Sequence, residues 1–392
     1  MIRRRTSHIV LSAGGTGGHM FPALALMEEL LERGHKVSLI TDKRGLAYHK
    51  IFKGIKIYQV GSASFTGKGF IGKLLSILRI ISGIFEARSI LKKLDVSAVV
   101  GFGGYPSFPT IRAALSIGIP TVLHEQNAVL GKVNRFMAKS VDAVALTFKN
   151  TDNVNWNRNK YTTVTGNPVR KEIVKIGNLY YPNLDEECIF RILVIGGSQG
   201  AKIFSEVVPQ AISILPRASQ QRLQITQQCR EEDIEAVRAL YEDMKIAVNL
   251  STFIDDLPTC LRWTHLVIGR AGASTITELT AAGRPGIFVP YPHATDDHQT
   301  INTKEIQING GGWVHHNNNF NAKILAKSLQ RLIRNPSEVL TAAKAARKIG
   351  KPYAAKDLAD IVERLALVKG NKAFTKVNEN KKFLENVGLG VK

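Results

Sequence analysis

Twice in this chain a short β-branched run ends in a cluster of glycines and passes straight into a helical pattern. Ile9-Val-Leu-Ser-Ala-Gly-Gly-Thr-Gly-Gly lies near the start and Arg191-Ile-Leu-Val-Ile-Gly-Gly-Ser-Gln-Gly near the middle. A strand buried on both faces reads as a continuous apolar run, and a glycine turn after it lets the backbone enter a helix at once. The same grammar predicts further strands over Lys36 to Thr41, Ser97 to Gly101, Pro120 to His124 and Asp142 to Thr147 in the first half. In the second half it predicts Gln221 to Thr226, Ile246 to Leu250, His265 to Ile268 and Gly286 to Val289. Helical patterns follow Phe21 to Glu32, the stretch after Pro106, and Tyr353 to Leu367. The expectation is an α/β chain of two Rossmann-like domains, each a mostly parallel sheet with helices on both faces, facing each other across a cleft.

Composition supports two cores. A length of 392 residues exceeds one ordinary domain, and 44% apolar against 22% charged residues with 33 glycines excludes a disordered, collagenous or coiled-coil chain. Three cysteines, Cys188, Cys229 and Cys260, are odd in number and far apart, so they offer neither a disulfide framework nor a zinc site and fit a reducing cytoplasm. No apolar run approaches the roughly 18 residues of a spanning helix. Met1-Ile-Arg-Arg-Arg resembles the start of a signal peptide, but the apolar run after it is short and ends in glycines, so it reads as a strand. The 53 Lys and Arg against 32 Asp and Glu leave a charge of +21, which favours nucleic acid, phospholipid headgroups or phosphorylated substrates without choosing among them.

The glycine turns are the first candidates for chemistry. Gly14 to Gly18 would present bare backbone N–H groups and a helix dipole to an anion or a polar substrate group; the alternative is a tight turn that simply needs small residues. It departs from Gly-x-Gly-x-x-Gly because position 20 is Met, and no Gly-Lys-Ser/Thr follows, so dinucleotide and P-loop readings lose weight. Gly196 to Gly200 is the matching turn, where Ser198 adds a hydroxyl, and Gly269 to Thr275 is a third, ahead of Glu278. Glu278 either accepts from a ribose diol or is an ordinary helix charge. In the first half, Gly101 to Pro109 and His124-Glu125-Gln126-Asn127 follow strands; His124 and Glu125 either face a ligand or brace their loop. His19 is either a base near the crevice or a polar residue at a helix start.

The stretch 65–94 is rich in large apolar residues, among them Phe70, Leu74, Leu75, Leu78, Ile81 and Phe85, bordered by Lys68, Lys73, Arg79, Arg88, Lys92 and Lys93. Two readings stay open: a helix covered by the first domain's core, or one lying on anionic headgroups.

Together, Gly-Gly-Thr-Gly-Gly-His, Gly-Gly-Tyr-Pro-Ser, His-Glu-Gln-Asn, Gly-Asn-Pro-Val-Arg, Gly-Gly-Ser-Gln-Gly-Ala and Asp-Asp-His-Gln-Thr resemble the MurG family of bacterial peptidoglycan glycosyltransferases, over about residues 8 to 367. The resemblance implies a GT-B fold whose last helix crosses back to the first domain. The domains are then 1–166 plus 353–368, facing acceptor and membrane, and 167–352, binding the donor; 369–392 forms a loosely ordered basic tail. It also implies inverting transfer of N-acetylglucosamine from UDP-GlcNAc to the 4-hydroxyl of the muramoyl sugar of lipid I, giving lipid II and UDP. Donor contacts would be Thr16, Gly17, Gly18 and Asn127 in the first domain. In the second they would be Arg170, Ser198, Phe253 and Ile254 at the uracil, Ala273, Ser274, Thr275, Ile276, Thr277 and Glu278, with Glu278 on the ribose and Gln299 on the sugar. His19 and Glu125 are the candidate proton acceptors.

The sequence has no Asp-x-Asp pair, the usual carriers of a metal-bridged nucleotide sugar, although Asp255-Asp256 and Asp296-Asp297 are adjacent acidic pairs. The expectation is therefore a reaction without metal or cofactor, in which N–H donors at a helix N-terminus hold the departing UDP. A membrane acceptor favours the interfacial reading of 65–94, on anionic inner-leaflet phospholipid at the cytoplasmic face, with other cell-wall enzymes as further partners. The runners-up are a UDP-GlcNAc 2-epimerase on the same fold and a non-catalytic scaffold. A nucleic-acid partner is not expected, since no RNP pattern, zinc-finger spacing or helix-turn-helix is present.

Overall fold

The computed structural model describes residues 6–63, 69–154, 161–197 and 200–370. The chain divides into two compact units, residues 1–168 with 353–392, and 169–352.

The first unit is built on seven parallel strands: β1 (His8–Ser12), β2 (Lys36–Thr41), β3 (Lys56–Gln59), β4 (Ala98–Gly101), β5 (Thr121–Glu125), β6 (Ala143–Leu146) and β7 (Thr162–Val164). Their spatial order is β3-β2-β1-β4-β5-β6-β7. Ile9 registers against Val37 on one side and Ala98 on the other, and β1 is buried along almost its whole length, as its unbroken apolar run requires. Helices α1 (Gly17–Glu32), α2 (Phe70–Lys93) and α3 (Gly104–Ser116) follow β1, β3 and β4. α1 starts at Gly17, four residues before the expected Phe21, because the glycine turn itself supplies its first helical residues. α3 likewise starts at Gly104, ahead of Pro106.

The helix Ala354–Gly370 returns to the first unit and packs on α1. Charged groups fix it there: Arg33 reaches Asp360 at 2.5 Å and Glu363 at 2.9 Å while Nε holds Glu29, and His35 Nε2 meets Glu363 at 2.7 Å. Of the expected tail, residues 371–392 lie outside the described residues.

The second unit repeats the architecture with six parallel strands: β8 (Phe190–Ile195), β9 (Leu223–Gln228), β10 (Ala247–Ser251), β11 (Leu266–Gly269), β12 (Gly286–Phe288) and β13 (Gly312–Val314). Their order is β10-β9-β8-β11-β12-β13. Phe190, Ile192, Val194, Phe204, Ile268 and Leu329 share one core cluster on one face of this sheet, and Leu193, Val267, Ile276 and Phe288 share another on the opposite face. Arg284 is buried between two helix ends. Its guanidinium donates to the carbonyls of Ala282 and Gly283 and to those of Leu261 and Arg262, so one side chain closes the C-termini of Ala273–Ala282 and Leu257–Trp263. Burial lowers its pKa to about 10, and a cation at helix C-termini is the favourable polarity.

Candidate functional site

In each unit the glycine turns sit where β-strands hand over to helices, and each turn is held by polar side chains from a neighbouring element. The first turn links β1 to α1. Gly15 has φ of +85°, a left-handed conformation that favours glycine, and a Cβ on Gly14 would lie 2.8 Å from both Asp42 Oδ1 and Pro106. Thr16 is the N-cap of α1 in extended conformation, exposed, with no side-chain cap; Gly17 is buried and Gly18 exposed. His19 is half-buried in the first turn of α1, its Nδ1 3.1 Å from the Gly14 carbonyl. A carbonyl only accepts, so Nδ1 carries the proton and the lone pair is on Nε2. Gly104 has φ of +72°, and a Cβ there would lie 3.3 Å from the His19 ring, so the start of α3 closes against the imidazole.

The polar run that ends β5 and continues past it is a bracing network. Glu125 is 3% exposed; Oε1 accepts from the Asn127 backbone and side chain, and Oε2 from the Gly131 backbone at 2.8 Å and Asn134 Nδ2 at 2.9 Å. Burial raises its pKa despite these four donors. His124 is fully buried, receives Gln126 Nε2 on Nδ1 and donates from Nε2 to the Gly166 carbonyl, and burial depresses its pKa to about 4. Both side chains are consumed in holding the loop and fixing residue 166 to the sheet. Asn127 is half-buried beside Glu125.

In the second unit Gln228 at the end of β9 holds the second turn, accepting from the Gly196 N–H at 3.1 Å and donating to the Gly197 carbonyl at 2.9 Å. Ser198 lies outside the described residues. The third turn, between β11 and the helix Ala273–Ala282, is pinned from the helix His298–Asn302. Gln299 Oε1 accepts from the backbone N–H of Ala271 at 3.1 Å and of Tyr291 at 3.0 Å, and Asn302 donates to the Ala271 carbonyl. Two donors on Oε1 fix the orientation of the Gln299 amide, so its NH₂ is a set donor.

The helix Ala273–Ala282 begins at Gly272, whose lack of a side chain leaves that end without a side-chain cap. Ala273, Ile276 and Glu278 are buried; Ser274, Thr275 and Thr277 are half-buried, and the Thr277 hydroxyl bonds back to the Ala273 carbonyl at 2.9 Å. Ala273 and Ile276 therefore offer a ligand backbone rather than side chain. Glu278 Oε1 is 2.9 Å from Arg170 Nε, both side chains largely shielded, so two residues 108 apart in sequence meet as an ion pair. Phe253 is 47% exposed, while Ile254 packs against the core beneath the helix. Of the acidic pairs, Asp256 caps the helix Leu257–Trp263 by accepting from Thr259, and Asp297 accepts from Thr300. Among the described residues no cluster of three metal-binding side chains occurs.

One residue of this site was not expected. Arg270 donates to the carbonyls of Val289 and Pro290 and to Asn317 Oδ1, and its guanidinium lies 5.4 Å from the ring centres of both Phe204 and Tyr291. All three acceptors are neutral, so the cation is held by dipoles and π-faces rather than a carboxylate, and burial lowers its pKa. Its place inside Gly-Arg-Ala-Gly was the available signal.

The apolar helix reads oppositely to a core helix. α2 buries Ser76, Gly83, Ala87 and Leu91, mostly small residues, and turns Phe70 (84% exposed), Ile71, Leu74, Leu75, Leu78, Ile81 and Phe85 (67% exposed) outward. A Cβ on Gly83 would fall on the Gly61 carbonyl oxygen, so a glycine lets the helix lie directly on the chain after β3. Residues 65–68 lie outside the described residues, and no described helix is long and apolar enough to cross a membrane.

Comparison with known proteins decides the family. Residues 9–146 match the glycosyltransferase family 28 N-terminal domain and residues 191–365 the glycosyltransferase family 28 C-terminal domain. The chain belongs to glycosyltransferase family 28. The transferase is 48% identical over 91% of its length to a relative from Zymomonas mobilis, of which 92% is covered. That relative is named UDP-N-acetylglucosamine--N-acetylmuramyl-(pentapeptide) pyrophosphoryl-undecaprenol N-acetylglucosamine transferase. Relatives from Rhodospirillum rubrum (46%, covering 92% of each chain) and Caulobacter vibrioides (42%, covering 91% of this chain and 98% of the relative) carry the same name. The crystal structure of Acinetobacter baumannii MurG superimposes with a TM-score of 0.73 at 32% identity, over 91% of this chain and 99% of that one. The kitacinnamycin glycosyltransferase, at 16% identity and a TM-score of 0.68, shares the fold alone. The transferase thus has the GT-B fold of two Rossmann-like units.

Proposed function

We propose that this transferase moves N-acetylglucosamine from UDP-GlcNAc to the 4-hydroxyl of the muramoyl sugar in lipid I, releasing UDP and giving lipid II with inversion. The observation that carries this reading is the 48% identity across both units to a relative of that name. The 1–168 unit with the 353–370 helix would take the acceptor, and the 169–352 unit the donor.

The geometry suits the chemistry. His19 Nε2 takes the proton of the acceptor hydroxyl; the oxygen attacks the anomeric carbon from the face opposite the leaving group, the carbon–oxygen bond to UDP breaks, and its electron pair leaves on the β-phosphate. The uncapped start of Ala273–Ala282, with Arg270 beside it, meets the charge that develops there. Glu278, fixed by Arg170, accepts from the ribose, and the oriented NH₂ of Gln299 donates to a sugar hydroxyl. Phe253 and Ile254 would lie at the uracil, Thr16, Gly17, Gly18 and Asn127 near the donor sugar, and Ser198 at a phosphate. The burial of Glu125 and its four donors support His19 over Glu125 as the base.

The outward apolar face of α2, with the exposed Lys73, Lys92 and Lys93, would seat the transferase on anionic phospholipid at the cytoplasmic face of the inner membrane. Transfer is tested with labelled UDP-GlcNAc, a soluble short-chain lipid I and EDTA, detecting the disaccharide by mass. Product in EDTA is expected, and His19→Ala should lower kcat by roughly 10²- to 10⁴-fold with UDP-GlcNAc affinity unchanged. No product with or without magnesium would overturn the reading in favour of an epimerase or scaffold; product only with magnesium would overturn the metal-free step.

A further inference from the structure

A cavity of about 530 Å³ lies within the first unit between α2 and the loops that follow β2 and β3. Its walls carry Lys43 and Arg44 from the first loop, Ser62 from the second, and Ser76 and Arg79 from α2. Three cations face one carboxylate, Asp42, and that carboxylate is already engaged. Its Oδ1 accepts from the Gly45 N–H at 2.9 Å, and its Oδ2 meets Arg44 Nε at 3.3 Å and the Ser62 hydroxyl at 3.5 Å. On the far side of Arg79, Glu86 lines a neighbouring hollow and is likewise taken, by Ser82 and by the Gly61 N–H. Lys43 and Arg79 are exposed, and neither has an ion pair among the described residues.

Two further contacts give the cavity its direction. The Arg44 guanidinium lies against the first glycine turn, 3.6 Å from where a Gly15 Cβ would stand, and Asp42 packs on Gly14 of the same turn. On the opposite side, Leu75 belongs both to the cavity wall and to the outward apolar face of α2. The cavity thus lies between the turn that precedes His19, which its wall residues Asp42 and Arg44 touch, and the surface that would meet lipid.

We infer that this cavity holds the diphosphate of the lipid-linked acceptor, with Lys43 and Arg79 as its principal cations, the sugar directed to the Gly14–Gly18 turn and the lipid chain along α2. This rests on the proposed lipid I acceptor and names the residues that would read its charged link. A diphosphate is an acceptor-only, strongly anionic group, which lysine and arginine donors bind by charge-assisted hydrogen bonds. The small Gly72 and Ser76 on the inner face of α2 leave room for it.

The test compares the wild-type enzyme with Lys43→Ala/Arg79→Ala in three measurements: KM for a soluble short-chain diphosphate acceptor, KM for UDP-GlcNAc, and partition onto phosphatidylglycerol vesicles. The expected result is a KM for the acceptor raised roughly 10- to 100-fold, the loss of one or two charged hydrogen bonds, with KM for UDP-GlcNAc unchanged. Lys43→Arg should keep most of the wild-type value. An unchanged acceptor KM overturns the inference, and a loss confined to vesicle partition overturns it too, by assigning the cavity to bulk headgroups. Wild-type enzyme that transfers nothing to this acceptor would instead fail the transferase reading on which the inference rests.

Discussion

The helix Ala322–Arg334 in the second unit and α2 in the first are both rich in leucine and isoleucine, and they face opposite ways. The first buries Leu325, Leu329, Leu332 and Ile333 and sends its lysines outward, as an amphipathic helix on a sheet should. α2 buries Ser76, Gly83, Ala87 and Leu91, packs Ile84 and Ile90 on the same core, and leaves Phe70, Ile71, Leu74, Leu75, Leu78, Ile81 and Phe85 outside. Packing alone accounts for Ala322–Arg334. It does not account for α2, whose largest apolar residues between Phe70 and Phe85 stay outside the core that Ile84, Ala87, Ile90 and Leu91 join. Apolar side chains displayed along one helix next to a row of cations are what a bilayer interface requires.

That contrast can be broken most sharply by truncation. Leu329→Ala should lower stability to urea by about 2–5 kcal/mol, because it opens a cavity in a fully buried cluster. Leu74→Ala on the open face of α2 should change it by less than about 0.5 kcal/mol. Equal losses would make α2 an ordinary core helix.

Acid tests whether the two units share a weakness despite their different surfaces. His124 in the first unit is buried neutral with a pKa near 4, against 6.5 for an unperturbed imidazole. Below pH 6.5 the unfolded chain takes up a proton that the native state refuses, so stability present above that pH is lost as pH falls toward 4, by about 3 kcal/mol. His265 in the second unit is depressed to about 4 as well, by burial and Arg191, so its unit should weaken over the same window. Urea titrations across that range, with hydrogen exchange to separate the units, should show both losing protection. A first unit indifferent to pH would mean that His124 is not the buried neutral group described.

Position decides most of which strands the sequence revealed, although β10, five residues long, is an edge strand and was still read, as Ile246 to Leu250. β1, β4, β5, β8 and β11 are central, buried on both faces, and read as apolar runs. β3, β7 and β13 escaped because each is short, lies at a sheet edge and is half-covered, so Lys56 to Gln59 or Thr162 to Val164 has no burial pattern to display. The site divides similarly. The glycine turns were legible because only small residues serve there. The ion pair of Arg170 with Glu278, the Gln299 oxygen on two backbone amides, and Arg270 on neutral acceptors join residues far apart in sequence, and no local pattern announces such pairs. α2 stayed open between core and interface for a related reason: periodicity shows that a helix has an apolar face and not what covers it.

The most direct test uses one α2 variant on two acceptors. Leu74→Glu/Phe85→Glu and wild type are compared for kcat/KM on lipid I embedded in anionic vesicles and on a soluble short-chain lipid I. The account predicts a loss of roughly ten-fold or more on vesicles, since two exposed apolar anchors are replaced by charges repelled by the surface, with the soluble reaction unchanged. Undiminished transfer on vesicles would contradict it.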